Sequence, residues 1–150
     1  MPESTTTNNA RGGGSDIVQR FYEAIGKGDA DTLTTLVADH FDADARLVFP
    51  DALPYGGTHE GAKRLGKMFA GMASNPDAGG PGELALIDMI DDGDKVVARL
   101  QFTWTAPGAS GSIPHEALEM WTFADGRVTE IRAFYWDTHA CAEQVAAART

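Results

Sequence analysis

The residues best equipped for proton chemistry lie near the end of the chain. In the segment Pro114 to Phe123, period-two alternation places His115, Ala117, Glu119, Trp121 and Phe123 on one face of a strand and Glu116, Leu118, Met120 and Thr122 on the other. An imidazole and a carboxyl group on one aromatic-rich face are suitable equipment for proton transfer, because desolvation there moves both pKa values toward neutrality. The structural alternative pairs Glu119 with an arginine such as Arg99 or Arg132 and leaves His115 at a wet strand end. Asp137 follows the apolar run AFYW, where a carboxylate can reach a weakly acidic C–H or activate a water. An aspartate followed by Thr138 and an alanine-rich segment is equally the pattern of a helix N-cap.

Other chemistries find less support. His40, His59, His115 and His139 show no H-x-x-x-H spacing and Cys141 no C-x-x-C partner, so no metal site is expected. Gly79, Gly80 and Gly82 are not followed by G-K-[ST], so no phosphate loop is read there, and no cofactor is implied. Tyr22 and Tyr55 carry hydroxyls able to donate to an enolate, with a helix surface and a loop as their plainer settings. Phe102, Trp104, Trp121, Phe134, Tyr135 and Trp136 suit either core packing or the walls of a pocket for a hydrophobic ligand.

The elements that must position these residues follow from periodicity. Ile17, Val18, Phe21, Ala24 and Ile25 form one helical stripe behind a capping-box spacing at Asp16 and Gln19. Leu33, Leu36 and Val37 give a second helix, and Ala62, Leu65, Phe69 and Met72 a third. A first strand is expected at Ala45 to Phe49, followed by the loop DALPYGGTHEG, with SNPDAGGPG breaking the third helix. Glu83 to Ile90, Lys95 to Trp104, Pro114 to Phe123 and Arg127 to Trp136 then read as an antiparallel meander with a tight turn at Asp125 and Gly126. Ala140 to Ala148 is expected to be helical. Three helices before four sequential strands have one place to bury their apolar stripes, the concave face of a curved sheet. The fold class is therefore α+β, a cone-shaped roll with an internal pocket. Residues 15–150 are read as one domain behind a polar, disordered tail at 1–14.

With 150 residues, 43% of them hydrophobic, the chain is ordinary for a globular domain. A formal charge of −10 argues against nucleic acid and anionic membrane surfaces as partners. The start lacks the apolar stretch of a signal peptide or anchor, and one cysteine cannot form an internal disulfide, so a reducing cytoplasm is the expected compartment.

The stretches VQRFYEAIGKGDADTLTTLVAD, LPYGGTHEG and EMWTFADGRVTEIRAFYWDTHA resemble the opening helices, glycine loop and closing hairpin of the nuclear transport factor 2 and ketosteroid isomerase superfamily, most closely its SnoaL-like group. That group's characterised members include polyketide cyclases. Where ketosteroid isomerases carry a helix tyrosine and a carboxylate base, this chain aligns Phe21 and Phe49; their protonated aspartate aligns with Glu119. SnoaL-like cyclases carry an acid/base aspartate at the position of Asp137. The resemblance thus implies cofactor-free acid/base chemistry on a hydrophobic small molecule, an isomerisation, cyclisation or water addition, with Asp137 as base and His115 and Glu119 as proton shuttles. Phe21, Tyr55, Trp104, Trp121 and Trp136 would shape the pocket. Two alternatives are a binding or dimerisation module without chemistry and an epoxide hydrolase, whose relay Arg99 or Arg132 would have to complete. A homodimer is implied as well, covering the sheet's aromatic outer face.

Overall fold

The computed structural model describes the backbone of residues 2–149 and the side chains of residues 13–149 except Pro76. The side chains of residues 1–12, on which most of the expected tail falls, lie outside the described residues. Helix α1 (Pro2–Lys27) buries Ile17, Val18, Phe21, Tyr22 and Ala24, a stripe wider than the sequence pattern suggests. It stops at Gly28, whose φ of +68° suits a residue without Cβ. Asp29 then caps α2 (Ala30–His40), its carboxylate accepting from the Thr32 N–H and hydroxyl, and Leu33, Leu36 and Val37 turn inward.

Strand β1 (Phe41–Phe49) starts earlier than alternation indicates. A register irregularity between Phe41 and Arg46 breaks the period-two pattern, which hides the strand's first half in the sequence. Within the stretch expected to be loop, β2 (Gly57–Glu60) pairs antiparallel with β1, Phe49 facing Gly57 and Leu47 facing His59. Helix α3 (Ala62–Ser74) follows with Leu65 and Phe69 buried. Strand β3 (Gly80–Asp91) begins inside the glycine- and proline-rich stretch expected to be irregular. As an outermost strand it needs ladder donors on one side only, so Pro81 is tolerated there. Strands β4 (Lys95–Thr105), β5 (Ile113–Ala124) and β6 (Arg127–Tyr135) complete the meander, with Asp125 and Gly126 at φ of +53° and +76° in the β5–β6 turn.

The strand order β2-β1-β6-β5-β4-β3 makes an open six-stranded mixed sheet, antiparallel except where β1 runs parallel to β6. Helix α1 crosses β3 and β4, α3 lies on β1 and α2 packs behind α3, so the helices fill the concave side. Helix α4 (Thr138–Ala148) folds back over the β4–β5 connection, where Gln144 accepts from the Ala106 N–H and donates to the Gly111 carbonyl. Its own Cys141 is fully buried. No helix among the described residues is long and apolar enough to cross a membrane.

Candidate functional site

On the inner face of β5, Glu119 faces Ala98 of β4 on one side and Ala133 of β6 on the other. These small neighbours leave space over the carboxyl group. Tyr22 descends from α1 into that space and its hydroxyl donates to Glu119 Oε1 at 2.5 Å, while Trp121 Nε1–H donates to the Tyr22 oxygen at 2.9 Å. The three side chains therefore form a relay, indole to phenol to carboxyl. Phe21 and Phe69 pack edge-on around it, the Phe21 and Trp121 rings 4.9 Å apart. Burial pushes the Glu119 carboxyl up from its ordinary value, opposed in part by the Tyr22 hydrogen bond. Burial, then the neighbouring Glu119 charge, holds Tyr22 well above the usual phenol range, so Tyr22 remains a donor.

Glu119 is partly rather than fully buried because its open side faces a hollow of about 40 Å³, room for about one water. Ile25, Met72 and Leu84 line this chamber and also a second hollow of about 480 Å³, to which Phe49, Tyr55 and Met68 contribute. Lys27 and Glu83 supply charge to the larger hollow's wall. The two hollows adjoin at Ile25, Met72 and Leu84, and a carboxylic acid lines the smaller one.

Tyr55 belongs to a second relay. Trp104 Nε1–H donates to the Tyr55 hydroxyl at 2.8 Å, and that hydroxyl lies 2.6 Å from the Tyr135 hydroxyl. The turn after Pro50 sets Tyr55 in place. A Cβ on Gly56 would lie 2.4 Å from the Pro50 carbonyl oxygen, so the turn closes only with glycine there, and His59 Nε2 lies 2.9 Å from the Tyr55 carbonyl.

The residues expected from sequence to act together are divided between two places. Glu119, Phe21 and Tyr55 line the interior hollows, while Trp104 and Trp121, expected to shape the pocket, are fully buried and line neither. Asp137 is exposed and caps α4, accepting from the Ala140 N–H at 3.0 Å, so the helix-cap alternative describes its contacts. Together with Trp136, 83% exposed, it borders a separate open groove of about 540 Å³ on the sheet's end. His115 lies between the two. Its ring packs 5.3 Å from Tyr135 and its Nε2 is 3.5 Å from the Asp137 N–H, and burial lowers its pKa despite nearby Asp137. Asp137 therefore does not share a chamber with Glu119. Arg99 pairs with Glu116 and Arg132 with Glu130, both arginines half exposed, and no arginine lines either interior hollow among the described residues. The aspartate–arginine relay that epoxide opening needs is therefore not assembled there. No group of three or more His, Cys, Asp or Glu able to hold a metal ion occurs among the described residues.

Sequence reasoning left Tyr22 between an enolate donor and a helix-surface residue and grouped Tyr135 with the aromatics of core or pocket wall. A signal existed for the first: Val18, Tyr22 and Ile25 are spaced i, i+4, i+7, a second apolar row beside the one through Phe21.

Among solved structures, the chain matches Bal32a from a soil-derived mobile gene cassette at 21% identity and a TM-score of 0.72, covering 89% of this chain and 97% of that one. It matches TerC, co-crystallised with polyporic acid, at 22% identity and a TM-score of 0.69, over 89% and 98% of the two chains. A protein described as a SnoaL-like polyketide cyclase from Jannaschia sp. CCS1 matches at 19% identity and a TM-score of 0.69, over 90% and 92%. At these identities the likeness establishes the fold. No curated protein matches the chain. The family model of the SnoaL-like domain matches residues 18–131, which carry the Tyr22–Glu119–Trp121 relay and all of the sheet but the last four residues of β6, and the chain therefore belongs to the SnoaL-like family.

Proposed function

We propose that the protein is a cofactor-free acid/base enzyme for a hydrophobic carbonyl compound, with Glu119 as the group that gives and takes the proton. The observation that carries this reading is a carboxyl group raised in pKa by burial, hydrogen-bonded to Tyr22 and open to an apolar chamber. In its neutral form Glu119 donates its proton to a carbonyl oxygen entering the chamber, which makes the neighbouring C–H more acidic and the carbonyl carbon more electrophilic. Once ionised, the carboxylate is held by the Tyr22 hydroxyl and draws a proton back. Enolisation with double-bond migration and intramolecular aldol closure both use this exchange, in keeping with a family that includes isomerases and cyclases. The base role that sequence gives to Asp137 passes to Glu119 in this reading, with His115 at the far end of the same strand face.

A simple ketone tests it. In D₂O the protein should accelerate hydrogen–deuterium exchange at the α-carbons of 2-tetralone, followed by proton NMR, and Glu119→Gln should reduce that acceleration about 10²- to 10⁴-fold. An undiminished rate in the variant removes Glu119 from the chemistry. A binding role without chemistry is favoured by one observation, that Glu119 is the only carboxyl group lining the inner chamber among the described residues. Saturable binding of 2-tetralone with no exchange in wild type selects that second reading.

A further inference from the structure

Beyond pairing the buried Trp104 N–H, the Tyr55 relay carries one hydroxyl hydrogen more than its own members accept. Two phenols bring two hydroxyl hydrogens. One is used between Tyr55 and Tyr135, the Trp104 N–H occupies a lone pair on Tyr55, and the remaining hydroxyl hydrogen has no described acceptor. The spare hydrogen is Tyr55's when Tyr135 donates to Tyr55, and of the two phenols Tyr55 is the one that lines the larger hollow. At the inner station the arrangement is parallel: Tyr22, itself held by the Trp121 N–H, donates to one oxygen of Glu119, leaving the acid's other oxygen and its proton for the chamber.

Sheet register fixes the spacing. Tyr135 faces Ala117, two residues before Glu119 on the same face, so Tyr135 and Glu119 are diagonal neighbours on adjacent strands, with backbones about 7–8 Å apart. Between them the walls are apolar: Ile25, Met68, Met72 and Leu84. Burial first of all holds both phenols above their ordinary range, Tyr55 at about 12, so both remain protonated donors.

Resting on the proposed role of Glu119, we infer that the cavity recognises two oxygen atoms of a single apolar ligand, a carbonyl at Glu119 and a second acceptor oxygen at the Tyr55 hydroxyl. The substrate class narrows accordingly, from any hydrophobic ketone to a compact ring compound with acceptor oxygens near opposite ends. The chamber of about 40 Å³ takes only the oxygen-bearing tip, and the ring body occupies the larger hollow.

Three ketones separate the contributions by calorimetric titration: 2-tetralone, 6-methoxy-2-tetralone, and 6-ethyl-2-tetralone, which keeps the added bulk without an acceptor. The methoxy compound should bind wild type roughly three- to tenfold more tightly than the ethyl compound, the range of one neutral hydrogen bond. Tyr55→Phe should erase that ratio; the ratio is read rather than either affinity because the variant also unpairs the buried Trp104 N–H. Tyr135→Phe should keep it, because Tyr55 then has its own hydrogen free; this variant also controls for loss of packing. A methoxy-to-ethyl ratio near one in wild type, or one unchanged in Tyr55→Phe, overturns the second station. Failure of all three ketones to bind overturns it together with the Glu119 reading. A methoxy preference lost in Tyr55→Phe, alongside undiminished α-exchange of 2-tetralone in Glu119→Gln, leaves the Tyr55 station standing and sinks only the proposed role of Glu119.

Discussion

Replacing Tyr22 by Phe removes one oxygen atom and nothing else, yet that oxygen serves two buried partners. The Trp121 indole N–H, on a fully buried side chain, loses its acceptor at 2.9 Å, and a buried donor left unpaired costs about 1–3 kcal/mol. Glu119 loses a donor at 2.5 Å, a further contribution of about 1 kcal/mol when the acid is neutral and about 1.5–3 kcal/mol when it is ionised. The Phe ring fills the same space, so no cavity forms. With Glu119 protonated the loss should be about 2–4 kcal/mol, and it should widen as pH rises through the raised folded-state pKa.

The widening follows from proton linkage. Without the Tyr22 donor, the folded-state pKa of Glu119 rises above its already raised wild-type value. Between those two values the wild-type folded state has released its proton and the variant has not, while both unfolded chains are ionised. Stability changes with pH as the difference in bound protons, unfolded minus folded, so over that window wild type is flat and the variant loses about 1.4 kcal/mol per pH unit. Urea unfolding followed by far-ultraviolet circular dichroism at pH 5 and pH 8.5 measures both quantities. A loss below about 0.5 kcal/mol at pH 5, or one that stays constant or shrinks toward pH 8.5, refutes the relay.

The remaining expectations concern the groups around this site. Glu119→Gln should abolish the part of the wild-type stability curve that declines as pH rises above the ordinary carboxyl value of 4.5, because a raised folded-state pKa favours folding below that value and loses the benefit on passing upward through it; chemical denaturation between pH 4 and 8 reads the slope. Asp137→Ala should cost about 1 kcal/mol through the lost α4 cap, whereas Asp137→Asn should leave both stability and ketone exchange near wild type. Abolition of exchange in Asp137→Asn with an unchanged melting temperature would return the base role to Asp137. Leu118 and Phe134, 45% and 52% exposed, face each other across β5 and β6 on the sheet's outer side, and we propose that a second copy of the chain covers them. Phe134→Lys should then convert a dimer to a monomer in sedimentation velocity, and a wild-type monomer at micromolar concentration removes that interface.

What the sequence makes legible is whatever repeats with a period. The β5–β6 hairpin combines clean alternation with an Asp-Gly turn, and the three apolar stripes fix the helices. The elements it hides interrupt a period: β1 carries an irregularity after Phe41, β3 opens on Gly-Pro-Gly at an edge, and β2 has only four residues. Site residues follow a different logic. Aspartate serves equally as helix cap and as base, so residue type alone left Asp137 undecided, and its contact with the Ala140 N–H is a fact of three dimensions. Tyr22 turns on helix phase. One residue is about 100° of rotation, and neighbouring Phe21 and Tyr22 are both buried because α1 is covered on two sides, yet only Tyr22 brings an oxygen to Glu119.

Glu119 also bears on whether the interior is built for chemistry or merely tolerates a carboxyl group. Burying such a group costs several kcal/mol, and an apolar side chain of similar volume is commonly as stable or more so. Had the site been only core, β4 and β6 could have closed over it with larger residues, yet Ala98 and Ala133 stand on either side and the space above them stays open. Close packing is the rule for protein interiors, and a void beside a costly acid departs from it twice in one place. Neither departure helps the fold. Both are accounted for together when a ligand oxygen occupies the void and accepts the proton, and neither is accounted for by the Tyr22 hydrogen bond alone, which satisfies one carboxyl oxygen and leaves the other facing the chamber.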